Sequence, residues 1–109
     1  MSDTVLILTT VPSIDLGEQI GRALVEAGLA ACVNVGQRMV SIYRWKGELQ
    51  RDEECQVLIK TVRARIDDVQ ARVSALHPYD LPELLVLPVE GGDPAYLAWV
   101  AAESSNPAL

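Results

Sequence analysis

The chain has 109 residues, 50% of them apolar and 22% charged, with a formal net charge of −6. That length holds one domain with a real core, and the apolar fraction excludes a disordered chain. Fifteen acidic against nine basic residues exclude a protein that grips a nucleic-acid backbone, which needs a basic face, and no apolar run approaches the roughly 20 residues of a membrane span.

Thr4 to Val11 is β-branched and aliphatic, is bounded by Pro12, and reads as a buried strand. Ser13 offers an N-cap and Asp15 a first-turn acid. Leu16, Ile20, Leu24 and Ala27 then recur at helical spacing up to Gly28. Gly17 and Gly21 weaken that helix and predict a close approach to the sheet. Ala30 to Trp45 has no helical period; with Lys46-Gly47 as a turn and Glu48 to Thr61 as the return arm, it predicts a long hairpin with a bulge or bend at Gly36. In the return arm Cys55, Val57, Ile59 and Thr61 share one face, and Gln56, Leu58 and Lys60 the other.

Ile66, Val69, Val73 and Leu76 line one side of a second helix, with Arg65, Asp68 and Arg72 outward, and Pro78 stops it. The segment HPYDLPE is a rigid connection bracketed by prolines. Leu84 to Val89 is a fourth strand whose Pro88 implies a bulge or a sheet edge. Asp93-Pro94 opens a short third helix, and the SSNPAL tail is expected to fray. The order β-α-β-β-α-β-α predicts an α+β fold, a ferredoxin-like βαββαβ sandwich with an extended hairpin and an extra C-terminal helix. It forms one domain over residues 1–109, with an ordered core at 4–104.

The hairpin is too long for such a domain. Ala30 to Trp45 would span about 50 Å when extended, against a diameter of roughly 35 Å for a compact domain of this size. The overhang carries Met39, Val40, Ile42, Tyr43 and Trp45. An isolated ribbon is marginal in water and an apolar edge invites pairing, so a homo-oligomer built at the hairpin is expected; the alternative is a hairpin curled over its own body at Gly36. Cys32 and Cys55 are too few for a disulfide framework, and MSDTVLILTTVPS lacks the basic start of a signal peptide, so the expected location is cytoplasmic, with free thiols.

His77 is the only imidazole of the chain and sits at a helix end. With Tyr79 and Glu83 held by Pro78 and Pro82, it forms either a pre-organised polar pocket or a simple cap on helix carbonyls. Lys60, in an apolar strand, needs a partner: a bound anion, Glu54 or Glu83. Tyr43 and Trp45 share a strand face and either wall a cleft or pack on a neighbouring subunit. There is no CxxC, HExxH, GxSxG or glycine-rich phosphate loop. The reading is therefore no dedicated soft-metal site within one chain and no enzyme; an acid–base pair of His77 and Glu83 is the remaining catalytic alternative.

Five blocks then fall in order: Leu29-Ala30-Ala31-Cys32-Val33-Asn34, Ile42-Tyr43-Arg44-Trp45-Lys46-Gly47-Glu48, Ile59-Lys60-Thr61, His77-Pro78-Tyr79-Asp80-Leu81-Pro82-Glu83 and Tyr96-Leu97-Ala98-Trp99. On them the chain resembles the CutA family of divalent-cation tolerance proteins from Thr4 to about Glu103. The resemblance implies a tight homotrimer joined through extended strands, tolerance to copper and other divalent cations, and no firmly attached reaction. It also implies a polar cleft at subunit seams, matched by Tyr43, Trp45, Lys60, His77, Tyr79 and Glu83, with His77 as candidate metal ligand. Some bacterial relatives have Cys where this chain has Thr9, and a second His where it has Leu76. No cofactor is obligatory; copper or another divalent cation is the candidate bound ion. The trimer is also similar to the PII signalling proteins, which gives the alternative of a sensor holding a small anionic metabolite, with Lys60 as counter-charge. The expected partners are thus further copies of the chain and either a metal ion or a small anion, with neither nucleic acid nor membrane.

Overall fold

In a computed structural model that describes residues 2–105, the β-branched opening run forms β1 (Thr4–Val11). Val5, Ile7 and Val11 turn inward and are fully buried. α1 (Ile14–Glu26) starts at Ser13, whose hydroxyl accepts from the Leu16 N–H at 3.2 Å. It ends just before Gly28, which takes the left-handed conformation at φ +70° that favours glycine. β2 (Cys32–Trp45) and β3 (Glu48–Val62) follow. Lys46 and Gly47 both have positive φ between them, the turn whose twist matches that of the flanking strands. A single 3₁₀ turn, Arg63–Arg65, precedes α2 (Ile66–Leu76). β4 (Leu85–Pro88) and α3 (Pro94–Ser104) complete the chain, and the Asp93 carboxylate caps α3 by accepting from the Tyr96 N–H at 3.0 Å.

The sheet is antiparallel, in the order β2-β3-β1-β4, as the ferredoxin-like reading requires. Val5, Ile7, Cys55, Val57 and Ile59 face Ile20, Leu24, Val69 and Val73 in one core cluster. The register between β2 and β3 slips between Val35 and Arg38, the bulge expected at Gly36. α1 lies close enough to the sheet that a methyl group on Gly17 would meet Val35 Cγ1 at 2.7 Å, and one on Gly21 would meet Val33 Cγ1 at 3.2 Å.

β1 pairs with β3 only from Cys55 to Val62. The rest of β3, from Glu48, pairs with β2 alone. The hairpin therefore leaves the sheet as a two-stranded ribbon and stretches the molecule to 45 × 30 × 22 Å. It does not curl over its own body: Val40, Ile42, Tyr43, Trp45 and Leu49 are exposed. β4 is an edge strand, as Pro88 implied, one residue shorter at each end than the run Leu84–Val89.

Two expectations need correction. Arg65 does not point outward. Its Nε donates to the Ser104 carbonyl at 2.9 Å and its Nη2 to the Ser105 carbonyl at 3.4 Å, so it ties the end of α3 to the start of α2. The same bonds mean that the SSNPAL tail does not fray from its first residue: Ser104 is helical and fully buried, while residues 106–109 lie outside those described.

Gly17→Ala tests the packing of α1. Helix propensity alone would raise stability by about 1 kcal/mol, but the stiff Val35 side chain must move, at about 1–3 kcal/mol. The expected result is a lower thermal midpoint; a rise would contradict the close approach.

Candidate functional site

The HPYDLPE connection leaves α2 and returns past the end of β1 towards the edge strand. It faces the ribbon, from Glu54 near its base to Trp45 at its tip, across a cleft of about 830 Å³. The ribbon wall carries Tyr43, Arg44, Trp45, Asp52 and Glu54; the loop wall carries Tyr79, Asp80 and Glu83. Pairing of Ser41 with Asp52 and of Tyr43 with Gln50 puts Tyr43 on the same ribbon face as Asp52 and Glu54. The Tyr43 hydroxyl donates to Asp52 Oδ2. Across the gap the Tyr79 hydroxyl donates to Glu54 Oε2 at 3.2 Å, so the two walls are joined by one phenol–carboxylate bond.

The charges of the cleft are not balanced. Glu54 is only 8% exposed. Burial and then the nearby Glu54 carboxylate push the Glu83 carboxyl above the ordinary range. Burial, followed by the charge and the hydrogen bond of Glu54, raises the Tyr79 phenol to about 12. The hydrogen bond to Asp52 is the main cause that raises Tyr43.

Of the six expected cleft residues, Tyr43, Trp45, Tyr79 and Glu83 line this space and Lys60 and His77 do not. Lys60 projects from the opposite side of β3 to Ile59. Its Nζ lies 3.4 Å from the Tyr96 hydroxyl and 5.8 Å from the centre of that ring, on α3. It therefore pairs with neither Glu54 nor Glu83. His77 is the C-cap of α2 and 9% exposed. Its Nε2 donates to the Thr10 carbonyl at 2.6 Å and its Nδ1 accepts from the Tyr79 N–H at 3.3 Å. Both ring nitrogens are spent on backbone, and the ring tilts against Tyr79 with centroids 4.5 Å apart. His77 thus fixes the loop that carries Tyr79 and Glu83.

Copper or another soft ion does not fit this arrangement within one chain. The imidazole has no free lone pair, and among the described residues no three His, Cys, Asp or Glu side chains gather closely enough to hold an ion. Thr9, fully buried with an unpartnered hydroxyl, supplies no thiolate. Cys32 and Cys55 are free and lie in strands.

Two measurements check these assignments. A carboxyl whose folded pKa is raised is destabilising once ionised, so its contribution is lost as pH rises from the ordinary carboxylate range through its folded value. Glu83→Gln should therefore raise the thermal midpoint at pH 7 and leave it nearly unchanged at pH 3. His77→Ala should lower stability by about 1–3 kcal/mol through the two backbone groups it leaves unpaired, read by denaturant unfolding.

Known proteins share both the sequence and the shape. Residues 5–103 match the profile of the CutA1 divalent ion tolerance protein family. The divalent-cation tolerance protein CutA of Thermus thermophilus is 45% identical over 87% of this chain and 92% of its own length. The chloroplastic CutA of Arabidopsis thaliana is 35% identical over 94% of this chain, which spans 57% of that longer protein. The crystal structure of CutA1 from Shewanella sp. SIB1 superimposes with a TM-score of 0.92 at 37% identity, covering 96% of this chain and 98% of that one. With the fold, the ribbon and nearly the whole length in common, the chain belongs to the CutA1 divalent ion tolerance family.

Proposed function

We propose that the chain serves divalent-cation tolerance as a homotrimeric binding protein rather than an enzyme, with its ligand site in the cleft between ribbon and loop, at the seam with a neighbouring subunit. The observation that carries the reading is the amount of apolar surface left uncovered. On the sheet face away from the core, Leu58, Leu8 and Leu85 lie in one row across β3, β1 and β4, and Lys60, Leu6 and Leu87 in the next. Leu85 is 55% and Leu87 42% exposed, and the ribbon adds the exposed Val40, Ile42, Tyr43, Trp45 and Leu49. A cyclic assembly would shelter this face and close the free edges together.

Direct ion binding is weak in this reading and falls to the cleft carboxylates, since His77 is committed to backbone. The same commitment removes His77 from an acid–base pair with Glu83. The sensor alternative loses its support too. Lys60, the intended counter-charge, lies against α3, and the cleft presents more carboxylates than cations. A cytoplasmic location rests on the two free thiols.

Sedimentation of the wild type should give a trimer at micromolar concentration, and Leu85→Glu should weaken or abolish it; a folded wild-type monomer would overturn the assembly. Titration with copper and zinc should give weak heats of equal size in the wild type and His77→Ala. A saturating heat lost in His77→Ala would restore the histidine as a ligand.

A further inference from the structure

The cleft carries negative charge that its own chain does not neutralise. Asp52, Glu54, Asp80 and Glu83 line it, and the one basic lining residue, Arg44, alternates onto the opposite ribbon face through its pairing with Leu49; none of these five takes part in the ion pairs found among the described residues. Glu54 is the informative member: more than nine-tenths buried, it receives one hydrogen bond, from the neutral Tyr79 phenol. A carboxylate removed from water to that degree normally has a cationic partner. Beside the carboxylates stand the rings of Tyr43, Trp45 and Tyr79, whose electron-rich faces attract cations and whose area suits hydrocarbon. The carboxylates do not converge into an ion cage; they are spread along both walls of a space large enough for a small molecule.

We propose that this cleft binds a small linear organic cation with positive groups at both ends, one held by Glu54 and its carbon skeleton laid between Trp45 and the two tyrosines. The inference rests on the reading of the cleft as the ligand site and names the class of its ligand. The charge balance of this chain's own lining selects against anions, and the aromatic walls select for a carbon-bearing cation over a bare metal ion. Such a ligand would also offset the charge of Glu54, which after burial is the second cause that raises the Glu83 carboxyl.

Calorimetry on the intact oligomer tests this with agmatine, which has a guanidinium at one end and an ammonium at the other. Glutarate serves as the anionic counterpart, and copper and zinc as bare ions. Agmatine should bind saturably, glutarate should not, and Glu54→Gln should weaken agmatine by about tenfold or more. Trp45→Leu, at a ring 39% exposed, should weaken it by about threefold or more and provides the readout if Glu54→Gln fails to fold. Absence of saturable agmatine heat, affinity unchanged in Trp45→Leu, or preference for glutarate would each overturn the proposal. Heat from copper or zinc with agmatine silent would sink this inference and leave the tolerance reading standing; silence towards all four probes from an intact trimer would remove the cleft itself as a ligand site.

Discussion

The structure depends on a mismatch in strand length. β3 has 15 residues and β1 has 8, so nearly half of β3 finds its backbone partner only in β2. Everything distinctive about the molecule follows from that unpaired surplus. The ribbon supplies one wall of the cleft and carries exposed aromatic and aliphatic side chains into solvent. It also presents bare edges that a single subunit has no element to cover. A two-stranded ribbon is marginal alone, and that is the physical ground on which the proposed assembly rests.

The second wall is made by different means. Two prolines stiffen the loop after α2, and His77 fastens it by bonding the β1 backbone on one side and the Tyr79 amide on the other. The cleft is thus a gap between an extended ribbon and a clamped loop, bridged by Tyr79 and Glu54. Its electrostatics come from placing Glu54 where water is scarce and Glu83 within reach of its charge. The residue that chemistry most readily nominates as a ligand, the sole histidine, turns out to be part of the frame.

Much of this was legible in the sequence for physical reasons. Helical spacing from Leu16 to Ala27, the Ser13 and Asp93 caps, and alternation along Cys55 to Thr61 are local signals, and each element stands where they put it. Gly17 and Gly21 announced close packing because a helix tolerates glycine poorly without a reason. The excess length of the hairpin was simple arithmetic. The failures concern relations between distant segments. Lys60 is legible as a strand residue, but nothing local says that α3 would bring Tyr96 to it. Arg65 looked outward by periodicity, because its partners at Ser104 and Ser105 lie some forty residues on. Asp52 is not singled out by local pattern and Glu54 enters only as a candidate partner of Lys60, although alternation with Tyr43 across the hairpin register is the signal that could have found both.

The histidine clasp has a further effect on how the cleft would work. Because the loop is locked to β1, an inner strand of the sheet, that side is a fixed jaw, whereas the opposing side is a double strand joined to the rest of the sheet only at its base. Any widening of the gap would therefore have to come from the ribbon side and would break the Tyr79–Glu54 bond that joins the two walls.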